Sequence, residues 1–140
     1  LKQFFLLLAF FLFLNCQGES HIDLDQIDGY WQIEFVQQKD EIFESKQSFL
    51  LYDYYSTQNN TGIYKKVAPQ INGSFKTSDS AIRFEILKTK GDFILQFTSP
   101  WNTWFKTIKY LDSEKLVLFH QDRSFHYKRP LISKTLPENE

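Results

Sequence analysis

Few side chains in this sequence could do chemistry, and Cys16, its only cysteine, comes first. A thiol can act as nucleophile, metal ligand, disulfide partner or acceptor of a covalent group. With no second cysteine, an internal disulfide is excluded. The histidines are His21, His120 and His126. His120 and His126 fall on neighbouring predicted strands across a turn and could share a metal. No carboxylate or thiolate stands at ligand spacing beside them, so they read as scattered surface histidines and no metal site is expected. Asp53 and Glu85 are two carboxylates with nothing in their spacing to mark an acid–base pair. The sequence contains no G-x-S-x-G turn, no glycine-rich phosphate loop and no cysteine-nucleophile pattern. The expectation is a protein that is not an enzyme, with no catalytic residue and no cofactor.

What surrounds Cys16 decides its use. Lys2 gives one positive charge, Phe4 to Leu14 is wholly apolar, and Asn15-Cys16 ends the run. A charged start, an apolar centre of about 7–15 residues and a short exit are the parts of a secretory signal peptide. A spanning helix needs about 20 apolar residues, so this stretch is too short to anchor the chain by itself. The expected organisation is a signal peptide over 1–15, Cys16 with a tether over 16–27, a folded domain over 28–130, and a tail over 131–140. Removing residues 1–15 takes away Lys2 and no acid, so the exported part stays slightly acidic. Nucleic acid is therefore not expected as a partner.

The folded segment must position whatever binds, and its pattern is that of strands. Aromatic residues make up 18% of the chain, and they suit a pleated, half-buried surface. Tyr30 to Gln37 alternates, with Trp31, Ile33 and Phe35 on one face. Residues 38–47 read as a loop. Ser48 to Ser56 is a dense aromatic strand with Phe49, Leu51, Asp53 and Tyr55 on one face. Ile63 to Gln70 is a weaker strand ended by Pro69. Asn72-Gly73 signals a hairpin turn, with the return strand beginning at Phe75. Further strands follow at 81–88, 93–97, 104–111, 115–120 and 125–129, divided by short polar turns. Ile22, Leu24 and Ile27 suit a short helical turn that caps one end of a core. About eight strands at this spacing predict an all-β, up-and-down antiparallel barrel or a sandwich.

Two resemblances give this pattern a meaning. Phe13-Leu14-Asn15-Cys16 resembles the lipobox of bacterial lipoproteins, which implies cleavage before Cys16 and its lipidation, with fatty acyl chains such as palmitate. The implied location is the bacterial envelope, and Gln17 after the cysteine resembles the outer-membrane pattern. Gly29-Tyr30-Trp31 resembles the G-x-W signature of lipocalins, whose tryptophan plugs the closed end of the barrel. The resemblance runs over roughly 22–130, and it implies that Arg129 packs over Trp31 as the barrel-closing pair.

A lipocalin-like barrel implies a small hydrophobic ligand in a cavity opposite Trp31. If Trp31, Leu118 and Tyr127 point inward, strand parity makes Asp53, Trp104, His120 and Tyr127 the candidate cavity residues. The alternative for each is an ordinary hydrogen-bonding place at a barrel rim. For the whole protein, the alternative is a filled barrel that docks an envelope protein partner, with Pro100-Trp101 as contact rather than lid.

Overall fold

Alternating side chains and tight turns carry the chain through ten strands in the computed structural model, which describes residues 21–44, 51–70, 72–77 and 80–131. They are β1 (Gly29–Gln38), β2 (Glu41–Glu44), β3 (Tyr52–Gln58), β4 (Thr61–Pro69), β5 (Phe75–Thr77) and β6 (Ile82–Thr89). β7 (Asp92–Thr98), β8 (Thr103–Leu111), β9 (Lys115–His120) and β10 (Arg123–Lys128) complete the set. Lys90-Gly91 and Gln121-Asp122 have positive φ at both turn residues, which matches the twist of the strands they join.

Eight strands close into a barrel in the order β1-β3-β4-β6-β7-β8-β9-β10, with β10 returning to β1. Every pairing is antiparallel. This is an up-and-down antiparallel barrel, and closure leaves no long free sheet edge. The two remaining strands extend the wall. β2 pairs with the second half of β1, and β5 pairs with β4 from Val67 to Pro69, beyond the part of β4 that pairs with β6.

The core lies inside this wall and toward the end where β1 begins. Trp31, Tyr55, Leu95, Phe97, Ile108, Leu111, Leu116 and Leu118 are fully buried. A 3-10 turn at Leu24–Gln26 lies under that end, and Ile27 behind it is also fully buried. Ile22 bridges Leu111 in parallel, so the chain comes into the domain at the closed end. Gly62, on β4, sits so near its neighbours that a Cβ there would lie 2.5 Å from the Ser56 carbonyl oxygen and 2.6 Å from the Phe84 ring. Only glycine lets the aromatic fill reach the wall at that point.

The structure departs from the sequence reading in three places. Residues 41–44 form β2 rather than loop, although all four are exposed. The upper edge of β1, past the stretch paired to β3, is open, and backbone bonding fills it without any apolar pattern to announce it. Trp31, Ile33 and Phe35 do not share a face. A bulge between Ile33 and Phe35 shifts the register against β10, so Val36 pairs with inward Phe125 while Phe35 turns outward to stack on His126 at 4.1 Å. Leu51 precedes β3 and is 48% exposed, so only Asp53 and Tyr55 of its expected face are buried; Phe49 lies outside the described residues.

The outward pair has a pH consequence. His126 Nε2 is buried without a hydrogen-bond partner among the described residues. Burial lowers its pKa from 6.5, and the nearby Glu34 carboxylate raises it by less. The unfolded chain therefore binds a proton more readily than the fold does. Stability is highest above pH 6.5 and falls as the pH drops from there through the lowered value. Replacing His126 with glutamine should flatten that part of the profile. Urea midpoints for both proteins at about pH 7 and about pH 5 test it, and equal acid-side losses would remove the assignment.

Candidate functional site

Two constellations stand at opposite ends of the barrel. At the closed end, Gly29 has φ +101°, a conformation that side chains disfavour, and a Cβ there would meet Arg129 Nη1 at 3.1 Å. The glycine turns the chain into β1 and clears space for the guanidinium. Trp31 then points down the barrel axis, and its Nε1 donates to the Ile27 carbonyl at 2.8 Å. The Arg129 guanidinium lies over the indole at 3.7 Å. Arg129 Nη1 donates to the carbonyls of Asp28 at 2.8 Å and Tyr30 at 3.3 Å, and its Nε donates to Ser113 at 3.2 Å. Its Nη2 donates to the Gln26 carbonyl. One side chain thereby joins the capping turn, the start of β1 and the β8–β9 connection. This end is a plug, with no space for chemistry.

Nearer the other end the interior turns polar. Asp53 on β3 is 1% exposed, and its Oδ1 accepts from the Tyr64 hydroxyl at 3.3 Å and pairs with Lys66. Its Oδ2 has no hydrogen-bond partner among the described residues, nor has the hydroxyl of buried Tyr55. Burial raises the pKa of Tyr55, Tyr64 and Tyr127, and the Asp53 charge raises them further. The Tyr127 hydroxyl also lies beside the Asp53 carboxylate, and its interaction with that group raises the phenol's pKa further. All three phenols stay protonated near neutral pH and remain available as donors.

Lys106 on β8 shares this space. Its Nζ stands over the rings of Phe97 at 5.5 Å and Phe125 at 5.3 Å. Burial lowers its pKa; the Asp53 charge pulls it back up, and Lys66 lowers it again. The surrounding wall is aromatic, with Tyr55, Tyr64, Phe84 and Phe97 in mutual ring contact. A concavity of about 680 Å³ lies outside the barrel on the solvent side of β3, β4, β6 and β7. Ser56, Ile63, Arg83, Glu85 and Thr98 border it; it is open to solvent, and Asp53 does not line it. Its groups are solvated and ordinary for a polar strand face, so the interior cluster is the better candidate site.

The residues singled out from sequence fall as follows. Trp31 and Arg129 are in contact. Asp53 and Tyr127 are buried in the polar cluster. Trp104 is half-buried and stacks on Phe97 at 5.3 Å, at the same end. His120 is half-buried on the inward face of β9 opposite Arg123, and no contact joins it to Asp53. Cys16 lies outside the described residues. Sequence reasoning passed over Lys66, Lys106, Tyr55 and Tyr64 as site residues. Strand parity held the signal, because Lys106 lies between inward Trp104 and Ile108, and Lys66 follows inward Tyr64 by two. Among the described residues no group of His, Cys, Asp and Glu is placed to hold a metal ion.

Two solved structures are similar to the chain. One is a lipocalin-like protein from Bacteroides uniformis ATCC 8492, with a TM-score of 0.47 and 11% identity over 74% of this chain and 98% of that one. The other is an uncharacterized protein from Bacteroides eggerthii DSM 20697, with the same score and identity over 74% of this chain and 99% of that one. No family model and no curated protein matches the chain.

Proposed function

We propose that this chain is a lipid-anchored envelope protein, held by an acylated Cys16 in the outer membrane, whose barrel binds or carries one small and mainly apolar molecule. The observation that supports this most is the unfinished polar cluster inside an aromatic wall. A buried polar atom without a partner costs about 1–3 kcal/mol, and native folds seldom leave one unless water or a ligand completes it. Asp53 Oδ2 and the Tyr55 hydroxyl are two such atoms in one interior. Aromatic walls with a few convergent polar groups are the usual make-up of a small-molecule site. The reading is binding rather than catalysis, since Asp53 is tied to Lys66 and Tyr64 and no nucleophile–base pair faces it.

Native mass spectrometry of protein purified from its own membrane tests this. The expected spectrum shows a reproducible extra mass of a few hundred daltons at one per chain, lost on mild activation. Bare protein in repeated preparations, together with failure to take up uncharged N-phenyl-1-naphthylamine, would defeat the binding reading.

A second reading has its own support. Trp101 is 93% exposed, and Ile42, Phe43 and Leu51 are 60%, 52% and 48% exposed, all toward the end away from Trp31. An apolar rim of this kind suits a protein contact, with the barrel serving as filled scaffold. Capture of an envelope partner lost in Trp101→Ser, with no bound small molecule, would favour it.

A further inference from the structure

We infer that the molecule held in the barrel is an anion, and that Lys106 is the residue that meets its acidic group. This rests on the binding reading above and gives the ligand a chemical class, an apolar body ending in a carboxylate, sulfonate or similar acid. The argument begins with charge inside the wall. By register, inward-facing positions in the half away from Trp31 carry Lys66, Lys106, His120 and Arg123, against the acids Asp53 and Glu41. Asp53 Oδ1 is engaged by Lys66, its direct cross-strand neighbour and ion-pair partner, while Oδ2 has no partner among the described residues, and Glu41 is exposed at the rim. Arg123 donates through Nε to Gln38 and is exposed at the rim. Among the described residues, Lys106 is a largely buried cation in contact with two ring faces, with the Asp53 charge acting on it across the interior.

Ring faces are a partial answer for a buried ammonium. A ring face attracts a buried ammonium less strongly than a paired oxygen anion does, and removing the ion from water is costly. Three N–H donors need acceptors, and a π face supplies none with the strength of an oxygen anion. The Asp53 cluster, whose charge reaches Lys106, also holds protonated tyrosine hydroxyls, which donate to an acid and do not repel it. The Phe97, Phe125 and Trp104 surfaces around it suit the apolar remainder of the same molecule. An uncharged ligand would leave the ammonium as poorly satisfied as before, and a cationic one would add to an existing excess of positive charge.

A matched pair of fluorescent probes reads this directly. 1-Anilinonaphthalene-8-sulfonate and N-phenyl-1-naphthylamine share a ring system, and only the first carries a sulfonate. The wild-type protein should bind the sulfonate about tenfold or more tightly than the amine, one to one, with each probe displacing the other. Lys106→Met keeps an unbranched apolar stem and should lose about tenfold on the sulfonate while holding the amine within about twofold. Lys106→Arg should keep the preference, and urea midpoints show that both variants fold. Equal binding of the two probes by wild type would overturn the anion inference and leave a binding barrel standing. A Lys106→Met protein that still prefers the sulfonate would remove Lys106 from the role. If neither probe enters, both the binding reading and this inference fall.

Discussion

Trp31→Ala should destabilise the domain by about 3–5 kcal/mol, the range for truncating a large buried aromatic. Domains of this size are stable by about 5–15 kcal/mol, so the variant should sit near the edge of folding at 37 °C, with a Tm lower by at least about 10 °C. The loss has three sources. A fully buried indole is removed, and the adjacent wall of Leu111, Leu116 and Tyr127 cannot collapse into the space without breaking barrel register. The Ile27 carbonyl loses its Nε1 donor at 2.8 Å. Arg129 loses the ring beneath it at 3.7 Å, which was worth about 0.5–2 kcal/mol.

The sources separate by substitution. Trp31→Phe keeps a ring under Arg129 and loses the indole donor, so it should cost less than Trp31→Ala. Arg129→Lys keeps the charge and breaks the fan of bonds to Asp28, Tyr30, Gln26 and Ser113. The Trp31→Phe and Arg129→Lys changes should couple by more than about 0.5 kcal/mol in a double-mutant cycle, because the two side chains touch. Thermal and urea unfolding measure Trp31→Ala and the four proteins of the cycle. A Trp31→Ala cost below about 1 kcal/mol would show that the closed end does not depend on its plug.

The closed end was legible in the sequence because its chemistry is local and its residues are unusual. Gly29 next to Trp31 by one, and Arg129 after the last alternating run, stand out whatever the register between them. Strand count and order were legible for a related reason, since Asn59-Asn60, Lys90-Gly91 and Gln121-Asp122 punctuate the chain where antiparallel neighbours must reverse. The mouth half was harder. Phe35 looks inward by simple alternation, and only the bulge at Glu34, a property of pairing with β10, turns it out to His126. β2 carries no apolar face because it is held by backbone bonds along an edge that exists only after β3 has paired with the lower part of β1. Lys106 reads as a solvated lysine until the barrel closes over it, and Lys66, though still exposed, reads as unpaired until β3 brings Asp53 beside it. A charged residue at an inward position violates the pattern from which sequence reasoning works, and such violations concentrate where binding is done.

Cys16→Ala should move the protein out of the membrane altogether, an all-or-none change in location with no loss of fold. The proposed anchor is covalent lipid on Cys16; among the described residues no helix is long and apolar enough to cross a membrane. One acyl chain gives marginal attachment, about 10⁴ M⁻¹, and two or more give a stable one, so the thiol is indispensable to the proposal. The variant should be recovered as soluble or uncleaved protein, with a far-ultraviolet spectrum and urea midpoint equal to those of the wild-type domain. The wild type should partition into detergent and yield a Cys16 peptide heavier by two or more acyl chains. The fold adds a geometric requirement. Asp23 N donates to the Leu111 carbonyl and Leu111 N donates to His21, both at 2.9 Å, so the chain is pinned to the closed end within a few residues of Cys16. The residues from Cys16 to His21 reach about 17 Å when fully extended. An anchor there holds the Trp31 end against the bilayer and turns the Asp53–Lys106 interior away from it, toward whatever the compartment supplies. A Cys16→Ala protein still cleaved at the same bond and still in the outer-membrane fraction would refute both the anchor and that orientation.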